Sequence, residues 1–168
     1  KHSEDDYVDF YYERNIPEML SRQGPRAATA DVNGDGLEDV FIGGTIGHPG
    51  QLYLQTANGG FSKKVEPAFN QFMDFEDVAV LFFDCDKDGD EDLFVGSAGN
   101  NRDAGSPELQ NRLYKNDGKG NFTLQSAALP VFTESNSAVR AADVDHDGDL
   151  DLFVSGRNVP FQYPKGTV

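Results

Sequence analysis

Residues 84–92 read DCDKDGDED, and the same pattern returns as DVNGDGLED at 31–39 and as DVDHDGDLD at 143–151. All three windows fit D-x-[DN]-x-D-G-x-x-D, and their first aspartates are 53 and then 59 residues apart. The windows hold 15 of the 29 acidic residues of the 168-residue chain. Recurrence at such a spacing is typical of a repeat protein. We call these windows loop 1, loop 2 and loop 3 in chain order, and we number their positions from one to nine.

Short apolar runs flank each loop, and their composition predicts β-strands. They are rich in β-branched and aromatic residues and are bounded by Gly and Asp. Three consecutive apolar residues after each loop indicate strands that are buried on both faces. Asn-Gly-Gly and Asn-Asp-Gly join later runs and favour hairpin turns, because Asn and Gly accept positive φ angles. The runs before the loops are 27–30, 80–83 and 139–142, and those after them are 40–43, 93–96 and 152–155. The later pairs of runs lead from 51–55 to Phe61 and from 112–115 to Phe122.

These elements predict an all-β fold in which each repeat forms one blade of a β-propeller. Four antiparallel strands in roughly 55 residues match the size of a blade. Helical signals are sparse, with short helical turns expected at 16–23 and 67–76. The polar stretch 98–111 is expected to form a long connection. About two and a half to three blades are predicted: a lead-in segment at 1–25, blade 1 at 26–79, blade 2 at 80–138 and a partial blade 3 at 139–168.

The charge of the chain excludes two classes of partner. Binding of nucleic acid needs clustered Lys and Arg, whereas 29 acidic residues here outnumber 14 basic ones and give a net charge of −15. The same charge argues against docking on an anionic membrane surface. No apolar run approaches the ~20 residues that span a bilayer, so this segment is not expected to be membrane-spanning. A single cysteine excludes an intrachain disulfide framework.

Oxygen ligands at alternating loop positions suit a hard divalent cation. Crowded carboxylates repel one another unless a cation lies among them, and oxygen ligands select Ca²⁺ or Mg²⁺. Ca²⁺ is the better candidate because it tolerates the irregular geometry of a loop. Glycine at position six permits a sharp reversal, and the carbonyl at position seven is expected to point inward. The predicted ligands are Asp31, Asn33, Asp35, the Leu37 carbonyl and Asp39; Asp84, Asp86, Asp88, the Asp90 carbonyl and Asp92; and Asp143, Asp145, Asp147, the Asp149 carbonyl and Asp151.

The loops have two alternative interpretations, an EF-hand and an ordinary turn. An EF-hand begins similarly but needs Glu at position twelve and flanking helices, whereas position twelve here is Ile42, Val95 or Val154. The aspartate at position nine is therefore the expected closing ligand. The loops could instead be ordinary turns, since Asp and Gly are common in turns. Three loops with the same positions filled favour a metal that pins each hairpin.

The pattern A-x-x-D-x-[ND]-x-D-G-x-x-D-[LV]-F-[IV]-G, followed by L-Y and D-G-x-G-x-F, resembles FG-GAP or VCBS repeats over residues 26–160. The resemblance implies the seven-bladed β-propeller of integrin α subunits and many bacterial surface proteins, with calcium in the nine-residue loop. Fewer than three blades cannot close a ring, so the chain is expected to be a fragment of a larger propeller. The opening stretch, with DYVDF at 6–10, RNIP at 14–17 and SRQGP at 21–25, also resembles cartilage acidic protein-like repeat proteins.

The resemblance further implies a non-enzymatic calcium-binding module that is secreted, periplasmic or at the cell surface and binds a protein or glycan. The alternative is an enzyme on the same scaffold, a polysaccharide lyase or hydrolase with a cluster at the central channel. A third hypothesis is self-association through open blade edges. The raw material for a catalytic cluster is Tyr11, Tyr12, Arg102, Arg112 and Arg157.

Two further residues stand in the loops. Cys85 at position two, where the other loops have Val32 and Val144, is expected to be a small buried hydrophobe rather than a nucleophile. His146 at position four is expected to be solvated.

Overall fold

The computed structural model describes residues 5–132 and 134–166, and its regular secondary structure is almost entirely antiparallel sheet. The first sheet, blade 1, contains β1 (Ala27–Ala30), β2 (Asp39–Ile42), β3 (Gln51–Gln55) and β4 (Phe61–Lys64). Blade 2 contains β5 (Glu76–Phe83), β6 (Asp92–Ala98), β7 (Arg112–Asn116) and β8 (Phe122–Leu124). Blade 3 contains β9 (Ser135–Ala142) and β10 (Asp151–Asn158).

Within each blade, every strand pairs with its neighbour in sequence, in the orders β1-β2-β3-β4, β5-β6-β7-β8 and β9-β10. This topology confirms the predicted all-β fold and its four-stranded blades. The three loops join the first two strands of their blades in one register, so that position nine is always the first residue of the second strand. The pairs that close the loops are Ala30 with Asp39, Phe83 with Asp92 and Ala142 with Asp151.

The first strands of the three blades approach one another around a cleft of about 340 Å³. Arg26 and Ala27 line it from blade 1, 78–80 from blade 2 and 137–140 from blade 3. The loops therefore connect the innermost strand of each blade to the next strand outward.

Two apolar cores lie between neighbouring blades. The first includes Phe41 and Leu52 of blade 1 and Leu93 and Tyr114 of blade 2. Phe69 packs into it, with ring centroids 5.1 Å from Phe41 and 5.2 Å from Tyr114. The second core joins blades 2 and 3.

Burial on both faces, as predicted for the strands after the loops, holds for blade 2 alone. All of β6 is buried, whereas β2 alternates between buried and more exposed residues and β10 is mostly accessible. Blade 2 has a blade on each side, and blades 1 and 3 each have one neighbour among the described residues. The difference therefore follows from the position of the blade.

The predicted helices are only partly confirmed. Within residues 67–76, helix α1 (Pro67–Asn70) forms a single turn. Residues 16–23 form bends and a turn rather than a helix, although Ile16 and Leu20 are buried. The N–H of Ser21, which a helix would pair with a carbonyl, donates instead to the buried carboxylate of Asp9, with N···Oδ1 at 3.2 Å.

The first strands of blades 2 and 3 begin at Glu76 and Ser135, earlier than the apolar runs indicated. These extensions carry buried polar residues, which an apolar pattern does not detect. The long connection at 98–111 contains a 3-10 helix at Pro107–Leu109. The bounds proposed for the lead-in segment and the repeats remain predictions.

Candidate metal centres in the hairpin loops

The three loops share one backbone conformation. Positions four and six have positive φ angles in every loop, although only position six is always glycine. Lysine and histidine rarely adopt this conformation, so its recurrence at position four indicates that the loop shape, rather than glycine, imposes it. The φ angles are 73°, 63° and 63° at Gly34, Lys87 and His146, and 83°, 91° and 89° at Gly36, Gly89 and Gly148.

The aspartate at position one accepts hydrogen bonds from the backbone of its own loop. In loop 1, Asp31 accepts from the N–H of Gly34 at 2.8 Å and from that of Gly36 at 2.7 Å. Burial is the largest single influence and raises the pKa of Asp31, but the backbone N–H groups of the loop together outweigh it and bring the pKa below its ordinary value. The corresponding bonds are Lys87 N to Asp84 at 2.7 Å, Gly89 N to Asp84 at 3.0 Å and Gly148 N to Asp143 at 3.1 Å.

The aspartate at position nine fastens the start of the loop to the third strand of the blade. Asp39 is fully buried and accepts from the N–H of Val32 at 3.2 Å and from that of Gln55 at 2.8 Å. Burial raises the pKa of Asp39 above its ordinary value, against the lowering effect of these two N–H groups. Asp92 repeats the arrangement with Cys85 N at 3.0 Å and Asn116 N at 2.8 Å.

In blade 3, Asp151 accepts from the N–H of Val144 at 3.1 Å and is exposed. The sequence predicted position nine only as a metal ligand, and its role in joining strands was missed. The strand register could have indicated this role. Position nine is the first residue of the second strand, and the second strand pairs with the third.

Acidic side chains converge in loops 2 and 3. One ligand oxygen from each of Asp84, Asp86 and Asp88, at positions one, three and five, lies within 4.8 Å of the others, and Asp143, Asp145 and Asp151, at positions one, three and nine, form a second such group. Loop 1 forms no such group of three among the described residues. There Asn33 replaces one acid and donates from Nδ2 to Asp35 Oδ2 at 3.1 Å.

Asp92 forms a further group with Cys85 and Asp86 in loop 2, whereas Asp90, Asp147 and Asp149 belong to no such group among the described residues. Asp147 accepts from the N–H of Asp149 at 2.8 Å, as Asp88 accepts from that of Asp90 at 3.1 Å. Burial, followed by repulsion from Asp88, raises the pKa of the Asp90 side chain. The assignment of the Leu37, Asp90 and Asp149 carbonyls as ligands remains a prediction.

The donor set suits a hard cation. Every candidate group is a carboxylate, an amide or a carbonyl oxygen, which are the ligands that Ca²⁺ prefers. In loop 3, Asp143 Oδ1 is buried and has no hydrogen-bond partner among the described residues. A buried carboxylate oxygen without a partner is costly unless a cation or water lies against it.

Two lysines that the sequence analysis did not consider contact the loops. Lys115 on β7 forms an ion pair with Asp86 and lies 3.5 Å from Asp88 Oδ2. Hydrogen bonding to Asp86 raises the pKa of Lys115, and the same contact lowers the pKa of Asp86. Lys87 of loop 2 pairs with Asp149 of loop 3. A comparison of repeats could have identified Lys115, because Leu54 occupies its place in blade 1.

Cys85 and His146 are close to expectation. His146 is exposed, as predicted. Cys85 is only partly buried and packs against the second core. Burial, reinforced by Asp92, raises the pKa of the Cys85 thiol to about 12, which disfavours the nucleophilic thiolate.

Four of the five residues considered for a catalytic cluster have separate partners, and the fifth is exposed. Arg112 is buried against Asp77, Arg157 pairs with Glu18, and Arg102 donates to the Asp74 carbonyl at 3.5 Å. Tyr12 stacks on Tyr7 at 4.9 Å, and Tyr11 is exposed. Of the described residues that line the central cleft, none belongs to this set of five.

Blades that each carry an acidic hairpin loop define a propeller-type repeat protein. The sequence matches the family model of the FG-GAP-like repeat at residues 31–95 and 84–154, so the chain belongs to the FG-GAP-like repeat family. It is also similar to integrin alpha-V of Gallus gallus, with 28% identity over 184 aligned residues. The alignment covers 90% of this chain and 17% of that protein, so the chain spans about a sixth of its length. Among the described residues, no helix has the length and hydropathy needed to cross a bilayer.

Proposed function

We propose that this chain is a calcium-binding, non-enzymatic part of an extracellular or cell-surface β-propeller, and that each of its three loops binds one Ca²⁺. One observation carries the proposal: a single loop conformation, with the same bonds to the aspartates at positions one and nine, recurs in three hairpins. The loops differ at positions two, three, four, seven and eight, yet each keeps a side-chain oxygen at positions one, three, five and nine together with the same backbone shape.

Bound Ca²⁺ supplies positive charge among the carboxylates. The chain's own residues do the rest. The aspartate at position one holds the loop backbone, and the aspartate at position nine joins the loop to the third strand in blades 1 and 2. Binding in the loop would therefore stabilise the pairing of three strands, which is a structural role.

A protein or glycan partner and an extracellular location are the finer parts of the proposal. Membership in the FG-GAP-like family and similarity to integrin alpha-V support them. The separate partners of four of the five candidate catalytic residues support a non-enzymatic role.

Calorimetric titration of chelator-treated protein with CaCl₂ tests the metal sites. We expect three binding events, each weakened in one of the variants Asp35→Asn, Asp88→Asn and Asp147→Asn, because the change keeps an oxygen at the fifth position but removes its negative charge. Bound calcium should also raise the melting temperature, since a ligand at 100 times its Kd adds about 2.7 kcal/mol of stability.

Asp103→Asn is the matched control, because it removes one exposed acid outside the loops. It should retain all three binding events. Absence of binding at millimolar calcium in the wild-type chain would contradict the proposal, and so would equal loss of binding in the control.

A further inference from the structure

The chain contains the dipeptide Asn-Gly twice, at 33–34 and at 58–59. Asparagine is a thermally labile residue. A glycine after it has no Cβ, so its backbone nitrogen can approach the carbon of the asparagine side-chain amide closely. Asn33 is half-buried at position three of loop 1, whereas Asn58 is exposed in the hairpin between β3 and β4. The two pairs therefore share a sequence and differ in their surroundings.

In loop 1, the backbone nitrogen after the asparagine faces a carboxylate. The N–H of Gly34 donates to Asp31 Oδ1 at 2.8 Å. Asn33 Oδ1 accepts from the N–H of Asp35 at 3.0 Å, which Asp31 Oδ1 shares at 3.1 Å. A base beside the attacking nitrogen and an N–H beside the oxygen that gains charge both promote attack of Gly34 N on Asn33 Cγ.

The hairpin holds Asn58 differently. The N–H of Gly59 donates to the Thr56 carbonyl at 2.8 Å, in a backbone bond that belongs to the turn. Asn58 Oδ1 accepts from Thr56 Oγ1 at 2.6 Å and from the N–H of Gly60 at 3.1 Å. The amide oxygen is thus polarised here too, but the partner of the attacking nitrogen is a neutral carbonyl, which accepts a proton less readily than a carboxylate does.

We propose that Asn33 is a deamidation site of metal-free loop 1. Gly34 N forms a bond to Asn33 Cγ, the Cγ–Nδ2 bond breaks, and Nδ2 leaves as ammonia with the proton of the Gly34 N–H, which passes through the Asp31 carboxylate. One water molecule from solvent then opens the cyclic imide at either carbonyl and leaves aspartate or isoaspartate at residue 33. Gly34 is exposed, so solvent reaches the bond that reacts.

The two products have opposite effects on the loop. Aspartate at position three matches Asp86 and Asp145 of loops 2 and 3 and adds a negative charge to the predicted ligands, which strengthens calcium binding. Isoaspartate adds a methylene group to the main chain and moves positions one and five apart, which weakens it. Calcium held by Asp31 and Asn33 would engage the base and fix the amide, so it should slow the reaction; this expectation rests on the proposed metal site.

Peptide mapping by mass spectrometry tests the proposal on the intact chain, incubated at neutral pH with chelator or with CaCl₂. Trypsin cleaves after Arg26 and Lys63, so one peptide, 27–63, carries both asparagines, and its fragment ions assign the replacement of NH₂ by OH to either one. With chelator, we expect modification at Asn33 several-fold faster than at Asn58. Calcium should slow the reaction at Asn33 several-fold and leave the rate at Asn58 unchanged.

Asp31→Asn, assayed with chelator, removes the carboxylate and should slow modification of Asn33 to the rate at Asn58. Asp103→Asn is the control, because it removes one exposed acid outside the loops and should keep the wild-type rates. Circular dichroism verifies that both variants are folded. A rate at Asn58 equal to or above that at Asn33 in the wild-type chain would overturn the proposal, and so would a wild-type rate at Asn33 in folded Asp31→Asn. Calorimetric titration of the same samples reports calcium binding independently, so a failure of the metal site is distinguished from a failure of deamidation.

Discussion

Tyr114 shows how a single position acquires its properties from the interface between blades. It is the largest of the fully buried side chains, and its ring packs edge-on against those of Phe69 and Phe72. Burial raises the pKa of Tyr114 to about 12, with partial opposition from the Arg112 guanidinium. Its equivalent in blade 1, Tyr53, is only partly buried and donates from its hydroxyl to Gln51 at 2.6 Å.

The raised pKa predicts a loss of stability at alkaline pH. The unfolded chain ionises Tyr114 near the ordinary tyrosine pKa of 10.0, whereas the folded chain keeps it neutral until about pH 12. Stability should therefore fall as the pH rises above 10, because the unfolded state releases the proton first. Between pH 10 and 11, the free energy of unfolding, measured with urea, should fall by about 1 kcal/mol less in Tyr114→Phe than in the wild-type chain.

Tyr53→Phe is the control for this measurement, since it leaves Tyr114 in place and should keep the wild-type slope. Tyr7 and Cys85 also have pKa values raised to about 12 by burial, so Tyr114→Phe should reduce the alkaline loss without abolishing it. Parallel slopes for Tyr114→Phe and the wild-type chain would contradict the assignment.

Loop 2, considered as an element, has a lysine on two of its predicted carboxylate ligands, whereas the lysine that contacts loop 3, Lys87, pairs with Asp149, whose carbonyl rather than carboxylate is the predicted ligand. Lys115 reaches from β7 to the carboxylates of Asp86 and Asp88. An ammonium group on two predicted ligands competes with a metal ion for them. Blade 1 has Leu54 at the equivalent place, so loop 1 has no such competitor from its third strand.

We predict that Lys115→Leu tightens calcium binding at loop 2 several-fold. The effect should be modest because ion pairs near the surface contribute little. Calorimetric titration should show one of three binding events shifting to lower Kd. Lys63→Leu removes an equal charge from an exposed place outside the loops and should change binding little. Equal shifts in the two variants would indicate a general charge effect instead.

At the scale of the whole molecule, a buried ion pair joins blades 1 and 2. Asp77 on β5 accepts from the N–H of Gly44 in blade 1 at 2.6 Å and pairs with Arg112 on β7. The guanidinium lies 4.8 Å from the ring centroid of Phe72 and 4.6 Å from that of Phe75, in the segment that connects the two blades. The pair thus ties three parts of the chain together.

Removal of one partner should be more harmful than removal of both charges. Arg112→Met leaves the Asp77 carboxylate buried without its counter-ion, which costs about 3–5 kcal/mol of unfolding free energy. The double variant Arg112→Met with Asp77→Asn should recover part of this loss. Urea unfolding measures both. Arg157→Met, which breaks the exposed pair with Glu18, should remain close to the wild-type chain. A double variant less stable than the single one would contradict this explanation.

The blades and their loops were predictable because sequence signals that lie close together along the chain define them. Asp at positions one and nine, Gly at position six and short apolar runs determine each hairpin, and these signals lie within a few residues of one another. The environment of equivalent residues was not predictable. Phe41 and Phe153 hold the same position, yet one is 1% and the other 70% exposed. Their difference depends on the neighbouring blade, which no pattern within a repeat reports.

The site was predictable to a similar degree. Alternating oxygens predicted a metal loop, and the structure brings acids together in loops 2 and 3. Lys115 was not predicted as a contact of the loop because it lies on β7, 29 residues from Asp86 in loop 2. The helix predicted at 16–23 does not form for the same kind of reason, a contact between residues that are distant in sequence. The N–H of Ser21 pairs with Asp9, twelve residues earlier.

The pairing of every strand with its sequence neighbour has a consequence for how such genes evolve. Duplication of one unit of DNA, equal to the 53 or 59 codons between successive loops, would add a complete sheet without interrupting any existing strand pair. Unequal recombination between units would shorten or lengthen the array in the same way. Inheritance of new units is then limited chiefly by whether the added sheet fits the surfaces on either side of it.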